Sequence, residues 1–448
     1  QDMWRPRIVP ILPYIMRLLY QLQAYHDPEN WKDLPIIVQT FVKYSNIERF
    51  WEAGASNKSK DEFINEHMKA MQTLRDFADS VGHIVRYTRE YTLLVISAIS
   101  SLGDVFFEID EAPQLLTDSI AICKPGTDLI SPGVSTHGWK HIMNVAIRPL
   151  LKNCPEESAP KFMSKFLPKL FTTLDILLCQ KWAPYMNEDI NVEPVVADDE
   201  DMTEEILEEN LLRQLTTVVV RIMIDCVGQH STNTQSSKGK LTSRQLKIRA
   251  IIFNDINIMA PFFKLLNHLM SFRDSKCSFN AILVMRCCLN EVLIKEDSVD
   301  EFFTFEVMKN LLSNVLCQSS FKDSFYEALN VFTVLFLTLC KEYPPARAFL
   351  YECSHGYDID SLYENLKSVD HYRNQRALMI EFIDWIKAAN GKNDDDENGH
   401  SAAENRRQEK RAATLKKASE RLVKKHKEDG DILDDPNTED AAFGSLFG

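Results

Sequence analysis

Three features of this sequence predict an all-α chain of stacked helix pairs. Glycine is scarce, with 14 residues in 448, under half of the roughly 7% usual, and the chain is rich in Leu and Phe; this disfavours barrels, sandwiches and Gly-loop nucleotide folds. Apolar residues recur at steps of three and four, the period of a helix with one buried face. Finally, the pattern runs through residues 1–390 without a Pro/Gly-rich boundary, beyond the ~250 to 300 residues at which a single core stops growing. Antiparallel helix pairs that each pack on their neighbours satisfy that length better than one bundle. The predicted architecture is an α-solenoid of HEAT-type pairs, a superhelix with roughly 40 residues per pair and about nine to ten repeats.

In chain order, the spacing predicts helices over Ile8–Tyr25, Pro35–Trp51, Asp61–Ser80, Val85–Phe107, Trp139–Leu151 and Ala159–Trp182. The next carries the stripe Leu207, Leu211, Leu215, Val218, Ile222 and Cys226; its β-branched Thr216–Ile224 run resembles a strand, but length and period favour a helix. Leu241–Leu269, Asn280–Ile294 and Val299–Leu316 follow, then a segment striped by Phe325, Leu329, Phe332, Phe336, Leu339 and Tyr343, and finally Tyr372–Ala389. Each is too short for a coiled coil and too apolar to stand alone. The longest stretches without a charge, Tyr91–Gly103 and Ala328–Cys340, fall short of the ~18 residues that span a bilayer, so no membrane insertion is expected. The first residue is Gln1 and nothing resembles a signal or transit peptide, as expected of a piece of a longer chain.

The interruptions are polar. Lys124-Pro125-Gly126 through Gly138 reads as a turn-rich loop, and Gly228–Lys240 as a Ser/Thr/Gln/Gly stretch. Between Lys181 and Arg213 lies an acidic link, from Glu188 and Asp189 to Glu208 and Glu209, without a basic residue. From Gly391 the apolar stripe disappears, so the chain divides into a helical body (1–390) and an acidic-basic-acidic tail (391–448).

No nucleotide-loop, zinc-protease or nucleophile-elbow motif occurs, and no enzyme is predicted. His137 and His141 have the i, i+4 spacing of a metal pair but lack a third ligand nearby, so they read as ordinary polar residues where a loop runs into a helix. Glu204, Glu205, Glu208 and Glu209 lack the Glu-x-x-His partner of a carboxylate metal site; they read as an acidic first turn, with Glu209 and Arg213 an exposed pair. Ten cysteines without a Cys-x-x-Cys pair, most in apolar patterns, read as reduced thiols, and the adjacent Cys287 and Cys288 point about 100° apart on a helix. Neither a metal nor any other cofactor is predicted.

The densest basic group in the body is Arg244, Lys247 and Arg249, candidates for contacting a phosphorylated or nucleic-acid ligand; a solvated helix start capped by Thr242 or Ser243 explains the same residues. The tail holds Arg406, Arg407, Lys410, Arg411, Lys416, Lys417, Arg421, Lys424, Lys425 and Lys427 against only Glu409 and Glu420. That segment suits phosphates or an acidic partner, or keeps a tail soluble. Net charge is −14. A duplex-binding protein more usually shows a basic face, although a concave surface can be basic while the outside is acidic.

Phe166-Leu167-Pro168-Lys169-Leu170-Phe171, then Leu178-Cys179-Gln180-Lys181-Trp182, then Glu204-Glu205-Ile206-Leu207-Glu208-Glu209-Asn210-Leu211-Leu212-Arg213, resembles a run in the C-terminal half of the exportin-5 group of importin-β-like nuclear transport receptors, the karyopherins. Ile11-Leu12-Pro13 through Tyr25-His26-Asp27-Pro28 also resembles a helix and His-containing turn of that group. The resemblance implies a HEAT superhelix that binds cargo together with Ran-GTP, passes FG-repeat nucleoporins and shuttles between nucleus and cytoplasm. Implied cargoes are a phosphorylated protein or a double-stranded or hairpin RNA. It also implies that the main Ran-GTP contact lies on N-terminal repeats that this chain lacks. A HEAT scaffold outside transport and an RNA-binding helical repeat remain as alternatives.

Overall fold

The computed structural model describes residues 3, 5–46, 75–120, 134–186, 204–228, 241–272, 274–292, 301–317, 323–369 and 371–391, and none of them forms a strand. Besides the one-turn helices Arg5–Ile8 and Asp104–Phe107, the helices are α1 (Leu12–Ala24), α2 (Ile36–Ser45), α3 (Arg75–Ser100), α4 (Ala112–Ile120), α5 (Thr136–Ile142), α6 (Arg148–Asn153), α7 (Ala159–Met186), α8 (Glu204–Val227), α9 (Ser243–Asn254), α10 (Ile256–Ser271), α11 (Ser275–Val292), α12 (Lys309–Cys317), α13 (Asp323–Glu342), α14 (Pro344–Cys353), α15 (Ile359–Ser368) and α16 (Tyr372–Gly391). A π segment, Met143–Ile147, joins α5 to α6, and another, Phe303–Met308, leads into α12.

Two layers emerge. α1, α4, α7, α10 and α12 follow one another in one; α3, the α5–α6 unit, α8, α11, α13 and α16 form the other. Each packs on the next in its layer, while α1 meets α3, α7 meets α8, α10 meets α11 and α12 meets α13 across the layers. This is the nearest-neighbour packing of an α-solenoid. Among the described residues the layers are five and six helices deep, fewer than the nine to ten pairs expected. Helices such as α7, with 28 residues, and interposed helices such as α2, α9 and α14 use more chain per step than a 40-residue period allows.

The predicted stripes are the core. Leu207, Leu211, Leu215, Val218, Ile222 and Cys226 are all buried on α8, and Phe325, Leu329, Phe332, Phe336 and Leu339 on α13. Burial of a side chain of that size contributes about 1.5–3 kcal/mol, which overrides the strand preference of the β-branched run on α8. Over Ser324–Glu342 α13 is long and apolar enough to cross a membrane, although its longest charge-free stretch had suggested otherwise; most of that window is buried among other helices.

Several boundaries differ from expectation. Leu241–Leu269 is two helices, because Asp255 takes extended backbone and caps α10, its carboxylate accepting from the Asn257 N–H at 2.9 Å. Both halves carry apolar stripes, so periodicity alone could not see the break. Val85–Phe107 likewise stops at Ser100: Gly103 turns the chain at φ +63 into a one-turn helix, Asp104–Phe107. A side chain other than glycine is disfavoured in that region of backbone space. Helices α4, α14 and α15 had no predicted counterpart. The Asp61–Ser80 helix lies outside the described residues up to residue 74, while 75–80 open α3. Residues 124–133, the acidic link at 188–203, the stretch 229–240 and the tail beyond Gly391 also lie outside them.

Candidate functional site

The basic group at the start of α9 divides. Thr242 caps the helix in a reciprocal box with Gln245, its hydroxyl accepting from the Gln245 N–H at 3.2 Å and the Gln245 Oε1 accepting from the Thr242 N–H at 3.0 Å. Lys247 is exposed and Arg244 half-buried. Arg249 follows Lys247 by two positions, about 200° around a helix, and so points inward. Only 6% of it is exposed. Its guanidinium donates to Glu291 Oε2 at 2.8 Å, to the Val227 carbonyl at 3.1 Å, to Cys287 Sγ at 3.1 Å and to the Cys287 carbonyl at 2.5 Å, tying α9 to α8 and α11. Arg249 is thus an internal strut with no free surface for a ligand, and the three residues do not form one patch. The ten tail cations lie outside the described residues.

A more enclosed cationic site, which the sequence reading missed, lies between α1, α3 and α5. There a cavity of about 40 Å³ is lined by Gln23, His26, Arg86, Arg89, Glu90, His137 and His141, among others. Gln23 is fully buried, and neither atom of its amide has a hydrogen-bond partner among the described residues. Arg89 is 8% exposed. One of its terminal nitrogens donates to the Leu22 carbonyl and to Asn46 Oδ1, both at 3.2 Å, while its Nε has no such partner. Burial pulls Arg89 down to about 10, which still leaves it cationic at neutral pH. The neighbouring Glu90 carboxylate offsets part of this charge, and the excess of two guanidiniums over one carboxylate favours an anion. His137 and His141, singled out by their spacing, face this cavity with rings stacked 6.2 Å apart. Neither belongs to a metal-capable group among the described residues.

Glu209 and Arg213 do pair, at 2.7 Å, but the pair is not exposed as expected. Glu209 is buried, and Arg213 also reaches Asp274 at 3.7 Å and lies over the Trp182 ring. The cysteines among the described residues that can be assigned are free thiols. Burial pushes Cys154, Cys277 and Cys340 up to about 12, which leaves them unreactive.

The apolar residues of the run that resembles the family are packing residues. Phe166, Leu167, Leu170, Phe171, Leu178, Trp182, Leu207, Leu211 and Leu212 are all buried between α7, α8 and their neighbours. The Exportin-5 family model matches residues 3–414. This chain belongs to the Exportin-5 family. Within its relatives, it is 72% identical over 447 residues to Protein MSN5 of Saccharomyces cerevisiae, a match covering all of this chain and 36% of that protein. An uncharacterised protein of Schizosaccharomyces pombe is 25% identical over 401 residues, covering 87% of this chain and 31% of its own length. Mouse Exportin-5 is 33% identical over 164 residues, 36% of this chain and 13% of that protein. The Exportin-5 family chain therefore spans about a third of the length of the first two relatives; the apolar part of the resembling run forms solenoid core, while Lys169, Gln180 and Glu208 of the same run are exposed.

Proposed function

We propose that this chain is the part of a nuclear export receptor, a karyopherin, that helps to hold cargo while the whole receptor binds Ran-GTP. Family membership supports this reading, and so does the layered stack, in which small rotations between neighbours add up to a change of curvature. A ligand that favours one curvature strengthens a second ligand that favours the same one by an equal factor. Receptors of this kind pass FG-repeat nucleoporins, shuttle between nucleus and cytoplasm, and catalyse no reaction themselves.

Among cargo classes, the reading favours a phosphorylated protein. The observation that carries it is the pair of guanidiniums, Arg86 and Arg89, facing the single carboxylate Glu90 in one cavity beside the unsatisfied Gln23 amide, a cationic excess that suits one anionic group on an irregular chain. A duplex RNA instead presents regularly spaced phosphates and needs an open basic face. In capture by the full-length receptor with GTP-locked Ran, Arg89→Gln should weaken a phosphorylated cargo at least tenfold, Arg89→Lys should weaken it less, and the unphosphorylated cargo should not respond. Equal loss for both cargo forms would defeat the phosphate reading. Capture indifferent to the nucleotide on Ran would instead indicate a scaffold, and competition by duplex RNA with a steep salt slope an RNA-binding repeat.

The tail contributes a separate expectation. Deletion after Asn390 removes the ten-cation segment and should weaken an anionic cargo at low ionic strength, with the difference shrinking as salt rises. Unchanged affinity at low salt would show that the segment serves solubility alone.

A further inference from the structure

Between α7 and α10, three potential ligand atoms of different chemistry converge. Asp175 and Cys179 stand one turn apart on α7, and His268 reaches them from α10. His268 Nδ1 lies 2.5 Å from Asp175 Oδ1 and 3.2 Å from Cys179 Sγ, and that Sγ lies 3.8 Å from the same carboxylate oxygen. One ring nitrogen meets both partners. A nucleophile–imidazole–carboxylate relay needs the two different nitrogens, so this cluster is not a catalytic triad.

It does have the form of a cation site. Carboxylate oxygen, imidazole nitrogen and thiolate sulfur are the donor set of zinc-type ions, with bonds of about 2.0–2.3 Å that place tetrahedral ligands roughly 3.3–3.6 Å apart. The two separations to sulfur bracket that range. The nitrogen–oxygen separation is that of a shared proton and has to open by less than about 1 Å for a metal to take the proton's place. Asp175 is buried, whereas Cys179 and His268 are partly exposed, so an ion has a path from solvent and a position left for a fourth ligand.

We propose that Asp175, Cys179 and His268 form a binding site for a zinc-type divalent transition metal, coordinated through Oδ1, Sγ and Nδ1. Binding releases the proton held between His268 and Asp175, together with the thiol proton of Cys179, to solvent. The mostly exposed Lys264 ammonium, 3.7 Å from Asp175 Oδ2, opposes the incoming charge and has to swing away. Because α7 and α10 are neighbours in one layer, the ion would clip two successive steps of the solenoid together and limit how far they rotate against each other.

Cobalt(II) titration of the full-length protein tests this. One equivalent should produce the ultraviolet thiolate-to-cobalt charge-transfer band and the intense visible bands of tetrahedral cobalt, and zinc should bleach both. Cys179→Ser and His268→Gln should each abolish the charge-transfer band while leaving the helical circular dichroism unchanged, and Lys264→Gln should tighten binding. Zinc should also raise the thermal midpoint of the parent protein but not that of Cys179→Ser, a readout that holds even if one variant folds poorly. Absence of the bands in the parent protein, or their survival in Cys179→Ser, would leave the cluster as a hydrogen-bonded ion pair and end the proposal.

Discussion

Arg249→Met is expected to cost about 3–5 kcal/mol of stability without altering cargo recognition directly. Methionine matches the length of the arginine stem and keeps its packing over Phe253, so the loss isolates the guanidinium's hydrogen bonds. The Val227 and Cys287 carbonyls lose the guanidinium as a donor, though Val227 keeps the weak Cys287 thiol contact and the Cys287 carbonyl keeps its place in the α11 ladder; each charge-assisted hydrogen bond lost costs about 1.5–3 kcal/mol. Glu291 is half-exposed and can turn to water, so its share is smaller. Arg249→Lys should recover only part, because one ammonium cannot span the acceptors that a planar fork reaches. Urea unfolding supplies the magnitude, and hydrogen exchange should show the loss concentrated at the end of α8 and along α9 and α11, since a solenoid transmits damage chiefly to its neighbours. A change below about 1 kcal/mol, accompanied by weakened cargo binding, would return Arg249 to the ligand-contacting role that its sequence neighbourhood suggested.

Trp182→Ala should have an effect of similar size, about 3–5 kcal/mol. Trp182 is wholly buried, stacks on Phe272 with centroids 5.4 Å apart and carries the Arg213 guanidinium over its face. Its indole N–H donates to Thr216 Oγ1 at 2.9 Å, and that hydroxyl in turn donates to the Leu212 carbonyl at 2.8 Å. Trp182→Phe keeps most of the apolar surface and loses the indole donor, so it should cost about 1 kcal/mol from the hydrogen bond plus whatever cavity the smaller ring leaves. A phenylalanine variant as unstable as the alanine one would mean that the hydrogen-bonded chain, and not ring packing, holds α7 against α8.

The two cases divide what each level of description could see. Trp182 was legible: it stands in the run that resembles the family, its apolar neighbours recur at helical spacing, and it is buried as that spacing requires. Arg249 was misread because three cations close in sequence look like one patch, although an offset of two positions turns a helical side chain to the opposite side. The cationic cavity was illegible. Gln23, Arg89 and His137 lie far apart along the chain, and only the packing of α1, α3 and α5 brings them together.

What the sequence alone determined is the fold class, the all-helical layering and the family, because periodic burial of Leu, Phe and Ile is a local pattern that repeats along the chain and needs no knowledge of partners. The breaks at Asp255 and Gly103, the inward turn of Arg249, the burial of Arg89 and the meeting of Asp175, Cys179 and His268 were decided by tertiary structure. A polar side chain's role depends on which atoms surround it once water is gone, and in a stack of helices those atoms come from other turns and other repeats.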